Sequence, residues 1–199
     1  MGRQWSDHYT RKAKDAGFGA RSVYKLEEIQ RRTGVIRRGT RVVDLGCFPG
    51  SWSRYLLKQG VSKLVGVDFR KPEGIAGHFI EGSALEVEPQ QLLDALGGPA
   101  ALVVSDMAPN TTGDRLGDHL RQVALARRAH QLACAILAPG GSFVTKVFEG
   151  SETQAFVNEV KGRFGKLRRI KPDATRSQSV ELFVVASGFR PGPPGGEAP

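Results

Sequence analysis

The sequence contains little cysteine or histidine. Its two cysteines, Cys47 and Cys134, lie far apart and belong to no C-x-x-C pair, and its four histidines are scattered singly. A disulfide framework or a zinc site needs several such side chains at short spacing. We therefore expect buried, reduced thiols and no metal.

Long hydrophobic runs are also missing. The longest apolar stretch, Leu132 to Ala138, has seven residues, whereas a helix that crosses a membrane needs about 20. The N-terminus carries charges where a signal peptide would have an apolar core. With 40% hydrophobic residues, the 199-residue chain can form one buried core. We expect a cytoplasmic protein with a single domain, and a monomer.

Acidic residues are scarce towards both ends of the chain. Residues 1–40 hold ten Lys and Arg against four acids, and residues 161–190 hold eight against two, whereas residues 41–160 are nearly neutral. Two basic blocks around a neutral core suit contact with a polyanion such as RNA. The alternative is that these charges are solvated side chains that only aid solubility.

Strand and helix patterns alternate along the chain. Apolar runs predict strands at 42–45, 64–68, 79–83, 101–106, 142–148 and 180–186. Helical spacing of apolar residues predicts helices at 22–33, 52–59, 90–96, 119–138 and 153–164. This alternation predicts a doubly wound α/β sheet. We assign residues 1–21 to a basic arm, residues 22–189 to the α/β domain and residues 190–199 to a disordered tail.

The segment Val42–Trp52 (VVDLGCFPGSW) predicts a strand, a ligand loop and the start of a helix. Gly46 and Gly50 allow a positive φ or a close approach to a ligand, and open α/β sheets bind ligands beyond the carboxyl ends of strands. The spacing is G-x-x-x-G rather than the dinucleotide pattern G-x-G-x-x-G, and Asp44 suits a cation better than a phosphate. S-adenosylmethionine has such cationic groups. The alternative is a glycine turn with a structural aspartate.

Asp68 strengthens the prediction of a nucleoside cofactor. It ends the second predicted strand, 24 residues after Asp44. Nucleotide-binding folds place an acid at about this spacing against the ribose hydroxyls of the ligand.

Other charged side chains occur where burial is expected. Asp106 ends a nearly continuous apolar strand, and Lys146 lies inside another. Burial disfavours the ammonium form of a lysine and favours the neutral amine, which is the form that a base needs. The alternative for Lys146 is an edge strand with its side chain in solvent. Lys25 lies on the first predicted helix, where a lysine is usually exposed.

Several stretches of the chain resemble one known family, the FtsJ (RrmJ or RlmE) ribosomal RNA 2′-O-ribose methyltransferases. They follow the family's order from about residue 7 to residue 189. The stretches are Ser22–Leu26 (SVYKL), Asp44–Gly46 with Pro49–Trp52, Ser105–Asn110 (SDMAPN), Leu137–Phe143 (LAPGGSF), Lys146–Phe148, Lys171–Pro172 and Ser179–Glu181.

The resemblance implies a Rossmann-like class I methyltransferase that uses S-adenosylmethionine, with a mostly parallel seven-stranded sheet and an antiparallel last strand. The cofactor residues that it implies are Asp44, Gly46, Pro49, Gly50, Ser51, Trp52, Asp68, Ser83 and Asp106. Two positions depart from the family. Ser83 stands where relatives usually have an acid that contacts adenine, and Cys47-Phe48 replaces small residues of the loop. A serine would bind the base more weakly than a carboxylate.

The resemblance also implies a catalytic tetrad of Lys25, Asp106, Lys146 and Glu181. Lys146 would be the general base, Asp106 would orient it, and Lys25 and Glu181 would position the ribose hydroxyl. The implied partner is RNA, with a uridine of 23S-type ribosomal RNA, in a large subunit or its precursor, as the methylated nucleotide. No metal is required.

Three other functions remain open at this stage. The RNA could be a tRNA or an mRNA. A small-molecule methyltransferase would share the cofactor loop but would not need basic flanks. A catalytically silent RNA-binding protein would gain nothing from a lysine in an apolar strand.

Overall fold

The computed structural model describes residues 22–173 and 180–192, which form five helices and seven strands. The predicted arm, residues 1–21, lies outside the described residues, as does most of the predicted tail. The helices are α1 (Val23–Thr33), α2 (Ser51–Lys58), α3 (Pro89–Leu96), α4 (Arg115–Ile136) and α5 (Thr153–Arg163). The strands are β1 (Arg41–Leu45), β2 (Lys63–Asp68), β3 (His78–Glu81), β4 (Ala100–Ser105), β5 (Leu137–Phe148), β6 (Phe164–Ile170) and β7 (Glu181–Phe189).

The strands form one sheet in the order β3-β2-β1-β4-β5-β7-β6. The first five strands of this order are parallel, and β7 pairs antiparallel with β5 and with β6. This confirms the predicted doubly wound, mostly parallel sheet with an antiparallel last strand. The strand order reverses between β1 and β4, and in such sheets the crevice beyond the carboxyl ends of these strands binds ligands.

Helices cover both faces of the sheet. On one face, α1 and α2 bury Leu26, Ile29 and Leu56 against alternate residues of the central strands, such as Val42. On the other face, α3, α4 and α5 pack on the residues between them, such as Val43. The apolar side chains of one strand therefore serve two cores, which explains why the parallel strands are continuously apolar.

The two largest differences from the predicted boundaries are at the starts of α4 and β5. α4 begins at Arg115 rather than after Asp118, because the side chain of Asp114 caps the helix by accepting hydrogen bonds from the backbone N–H groups of Leu116 and Gly117. β5 begins at Leu137 rather than Ser142, because Leu137 pairs with Ala100 before an irregularity in the ladder. Pro139–Gly141 therefore lie within an irregular part of strand β5, after the helix has ended at Ile136.

Strand β6 was not predicted from the pattern of the sequence. It carries three cations in seven residues, and only its ends, Phe164 and Ile170, are buried. It lies at the edge of the sheet, where one side of a strand needs no partner. Within the described residues, no helix is long and apolar enough to cross a membrane.

Candidate active site

The loop between β1 and α2 lies at the carboxyl edge of the sheet. Gly46 and Gly50 have φ angles of 79° and 98°, which favour glycine. The Gly46 N–H donates to the carbonyl of Val67 at 2.9 Å, so the loop is tied to the end of β2. A Cβ on Gly46 would lie 2.9 Å from the side chain of Met107, and a Cβ on Gly50 would collide with Ile75 and Pro72. Both glycines are therefore required by the fold of the loop.

Asp44 is fully buried beneath this loop. Its Oδ2 accepts a hydrogen bond from Ser53 Oγ at 2.7 Å, while Oδ1 has no partner within the described part of the chain. Burial, opposed by the Ser53 hydrogen bond and reinforced by the charges of Asp106 and Asp68, raises the pKa of Asp44 to about 7. A buried carboxylate with a free oxygen and acidic neighbours attracts a cationic ligand.

Asp68 lies beside the same loop, at the end of β2. Its Oδ2 accepts a hydrogen bond from the backbone N–H of Phe48 at 2.9 Å. Ser83 follows the neighbouring strand β3, and its hydroxyl accepts from the N–H of Leu85 at 3.2 Å. The hydroxyl hydrogen of Ser83 remains able to donate.

The remaining residues implied for the cofactor loop have different surroundings. Pro49 is exposed, and Ser51 is buried, with an Oγ that lacks a partner among the described residues. The side chain of Trp52 packs in the core, where its ring centroid lies 5.7 Å from that of Phe183 and its Nε1 donates to the carbonyl of Ser22 at 2.9 Å. The indole of Trp52 thus connects α2 to α1, and any cofactor contact of this residue is left to its backbone.

The tetrad residues form two ion pairs at the carboxyl edge of the central strands. Lys146 Nζ lies 3.0 Å from Asp106 Oδ1 and donates to the Asp106 carbonyl at 2.8 Å. Lys25 Nζ pairs with Glu181 Oε1. Both lysines are buried, with 5% of Lys146 and 8% of Lys25 exposed. The alternatives of a solvated edge lysine at 146 and an exposed lysine at 25 are therefore wrong.

Phe183 connects the two pairs. It lies opposite Lys146 in the β5–β7 ladder, and its ring centroid is 5.7 Å from Lys25 Nζ. The antiparallel direction of β7 brings its first residue, Glu181, to the edge of the sheet where the parallel strands end. The structure therefore gathers charged residues that are up to 156 positions apart in sequence, as from Lys25 to Glu181.

Two buried polar residues of this region were missed in the sequence. Ser53 donates a hydrogen bond to the Asp44 carboxylate. Gln122 on α4 donates through Nε2 to the carbonyls of Met107 at 3.2 Å and of Lys146 at 3.0 Å. Both side chains donate hydrogen bonds to backbone or carboxylate groups of other elements, so the helical spacing of the sequence does not predict their roles.

These features define a class of protein: an α/β fold with a glycine loop, buried lysines and carboxylates at the carboxyl edge of its sheet. The FtsJ-like methyltransferase family model matches residues 18–189. The chain belongs to the FtsJ-like methyltransferase family and is a methyltransferase, so its reaction requires a methyl donor.

Curated relatives agree with this assignment. The chain is 45% identical over 191 residues to Ribosomal RNA large subunit methyltransferase E of Acidiphilium cryptum, covering 95% of this chain and 85% of the relative. It is 46% identical over 186 residues to the protein of the same name from Desulfatibacillum aliphaticivorans, covering 91% and 89%.

A solved structure has the same architecture. The crystal structure of a ribosomal RNA methyltransferase from Plasmodium falciparum superposes with a TM-score of 0.77 at 25% identity. The match covers 85% of this chain and 97% of that one. The two chains therefore share their overall fold.

Proposed function

We propose that the chain transfers a methyl group from S-adenosylmethionine to a ribose 2′-oxygen in RNA of the large ribosomal subunit. The observation that carries the proposal is the buried Lys146–Asp106 pair beside the glycine loop. A buried amine held at the rim of a cofactor pocket suits the removal of a proton from a hydroxyl.

The pocket fits S-adenosylmethionine on three observations. Asp44 has an unpartnered buried oxygen and a raised pKa, which suits a cation. Asp68 retains one carboxylate oxygen beyond its contact with Phe48, and this oxygen can accept from ribose hydroxyls. Ser83 can donate a hydrogen bond to the adenine. When bound, the sulfonium cofactor supplies an electrophilic methyl group and leaves as a neutral thioether.

In this proposal, Lys146 accepts the proton of the ribose hydroxyl. A neutral amine has two hydrogens and one lone pair, and its two hydrogens match the two oxygens that Asp106 presents. The lone pair remains to accept the 2′-hydroxyl proton as the ribose oxygen forms its bond to the methyl carbon. Asp106 therefore orients Lys146, and the Lys25–Glu181 pair positions the ribose hydroxyl for an in-line attack.

The relatives named for the large-subunit ribosomal RNA support ribosomal RNA as the substrate. The basic blocks of the sequence are consistent with a polyanion. We further propose a uridine of 23S-type RNA as the target, a cytoplasmic location and a monomeric enzyme.

Transfer of label tests the proposed function. The purified protein, incubated with S-adenosylmethionine labelled in its methyl group, should label large subunits from a strain that lacks the enzyme. A matched RNA with 2′-deoxyuridine at the mapped nucleotide should accept no label. Label on tRNA, on mRNA or on a small molecule instead would identify one of the alternative methyltransferases. Cofactor and RNA binding without transfer would indicate the silent RNA-binding protein.

Asp68→Ala is expected to weaken S-adenosylmethionine binding about tenfold or more, because two ribose hydroxyls lose a charged acceptor. Isothermal titration calorimetry measures this loss. Asp68→Asn is the matched variant, since its amide oxygen can still accept from the Phe48 N–H. If Asp68→Ala binds normally, the assignment of the ribose site is wrong. If Asp68→Ala binds S-adenosylmethionine poorly but Asp68→Asn binds it normally, the affinity depends on the contact with the Phe48 N–H rather than on a charged contact with the ribose.

A further inference from the structure

A basic groove lies at the opposite edge of the sheet from the tetrad. Its larger part measures about 260 Å³ and lies between the end of α1, β5, β6 and β7. It adjoins a smaller hollow at the start of β4, and both share Val35, Arg37 and Ser142. Ser142 precedes Lys146 by four residues, so the two sites are separated by about 13 Å along the strand.

The lining of this groove is cationic and rich in hydroxyls. Arg37, Lys166 and Arg168 are all exposed there. Ser142, Ser187 and Thr33 add hydroxyl groups, and none of the described residues that line the groove is acidic. Arg168 donates to the carbonyl of Arg32 at 3.0 Å, which places a guanidinium at the negative end of α1. This arrangement favours an anion over an apolar ligand.

We propose that this groove binds phosphates of the RNA substrate away from the methylated ribose. The inference rests on the proposed function, because charge complementarity selects RNA once RNA is the substrate. It means that the bound RNA follows the protein from one edge of the sheet to the other. A mononucleotide at the tetrad would not reach the groove.

Charge reversal tests the groove. Arg37→Glu/Lys166→Glu should weaken binding of a long structured ribosomal RNA at least tenfold at 0.1 M salt. The slope of log K against log salt should become shallower by about 1.5, since two phosphate contacts are lost. Binding of S-adenosylmethionine should not change. Filter binding over a salt series and calorimetry measure these quantities.

Lys161→Glu is the matched control for Lys166→Glu, because Lys161 is exposed on α5 and does not line the groove. Equal losses for these two single variants would overturn the proposal in favour of a general effect of net charge. Unchanged RNA binding by the double variant would also overturn it. RNA binding is measured apart from methyl transfer. If the wild-type protein binds RNA but transfers no label, this result contradicts only the proposed function.

A separate observation concerns the strand ends beneath the Lys146–Asp106 pair. The β4–β5 ladder ends at Ser105 and Thr145, one residue before the pair. Beyond this point Gln122, 1% exposed, bridges the carbonyls of Met107 and Lys146 with one amide nitrogen. The two strand ends are therefore held together by a side chain where the backbone ladder stops.

We infer that Gln122 is a positioning residue that sets the geometry of Lys146 against Asp106. Gln122→Met keeps the size of the side chain and removes both hydrogen bonds, and it should lower kcat about tenfold with unchanged S-adenosylmethionine affinity. In a Lys146→Ala background the same change should cost nothing further, because Gln122 acts through Lys146. Single-turnover labelling and calorimetry measure these effects.

Stability is measured in parallel to separate positioning from folding. If Gln122→Met lowers the melting temperature but the folded fraction turns over normally, Gln122 has only a structural role. If the loss persists in the Lys146→Ala background, Gln122 does not act through Lys146. Gln122→Asn, which retains the donor on a shorter side chain, should recover part of the activity.

Discussion

Lys146→Arg is expected to bind S-adenosylmethionine and RNA nearly normally and to lose about a thousandfold in turnover. A guanidinium cannot be deprotonated at usable pH, so keeping the positive charge does not keep a base. General base catalysis contributes about 10²–10⁴-fold, and it acts in the transition state rather than in the ground state. Lys146→Ala should fail to a similar degree.

Single-turnover transfer of labelled methyl groups, with both substrates saturating, measures the loss. Lys161→Arg is the matched control, because Lys161 is an exposed lysine on α5, remote from the sheet edge that holds the tetrad. It should retain full activity.

Near-normal turnover of Lys146→Arg would remove the base role. Lys146 would then be a positive charge that orients the substrate through its third N–H, since two hydrogens already face Asp106. Proton removal would fall to solvent or to a carboxylate. The same Lys146–Asp106 contact thus supports two mechanisms, which differ in whether the third position on the nitrogen holds a lone pair or a hydrogen.

The fold could be predicted largely from local pattern. The β1 and β4 runs are apolar on both faces because helices cover both sides of the sheet. α1 follows its helical spacing until Gly34, which has a φ of 64°. Strand β6 was not predicted, because it is held in the sheet by pairing with β7 at the edge and has no apolar pattern of its own.

The candidate site could be predicted less completely than the fold from the sequence pattern alone. Asp44 and Asp68 could be predicted because each ends a strand next to a glycine loop. The tetrad needed the family resemblance, because Lys25 looks like a surface residue until Glu181 is brought to it by an antiparallel strand. Gln122 and Ser53 could not be predicted, since their partners lie 24 and nine residues away, on other elements of the fold.

Asp44→Asn is expected to stabilise the cofactor-free protein at pH 8. The pKa of Asp44 rises from 3.8 to about 7 on folding, so the folded state binds this proton more tightly than the unfolded chain. The buried carboxylate therefore costs nothing below about pH 4, costs progressively more as pH rises to 7, and costs up to about 4 kcal/mol above that. Asparagine is neutral throughout and can still accept from Ser53 Oγ. Melting temperatures of the two proteins should converge near pH 4 and separate at pH 8.

The same substitution should weaken S-adenosylmethionine binding tenfold or more at pH 8, because a cation loses its buried counter-charge. Wild-type affinity should fall as pH drops through about 7, where Asp44 takes up a proton, whereas Asp44→Asn should bind with little dependence on pH. Calorimetry from pH 6 to 8 measures both slopes.

Ser53→Ala removes the hydrogen bond that opposes the raised pKa of Asp44, so it should shift the wild-type curve of affinity against pH to higher pH. A gain in stability that does not vary with pH would mean that Asp44 affects packing rather than charge. Equal cofactor affinity in the two proteins would place the cation elsewhere in the pocket.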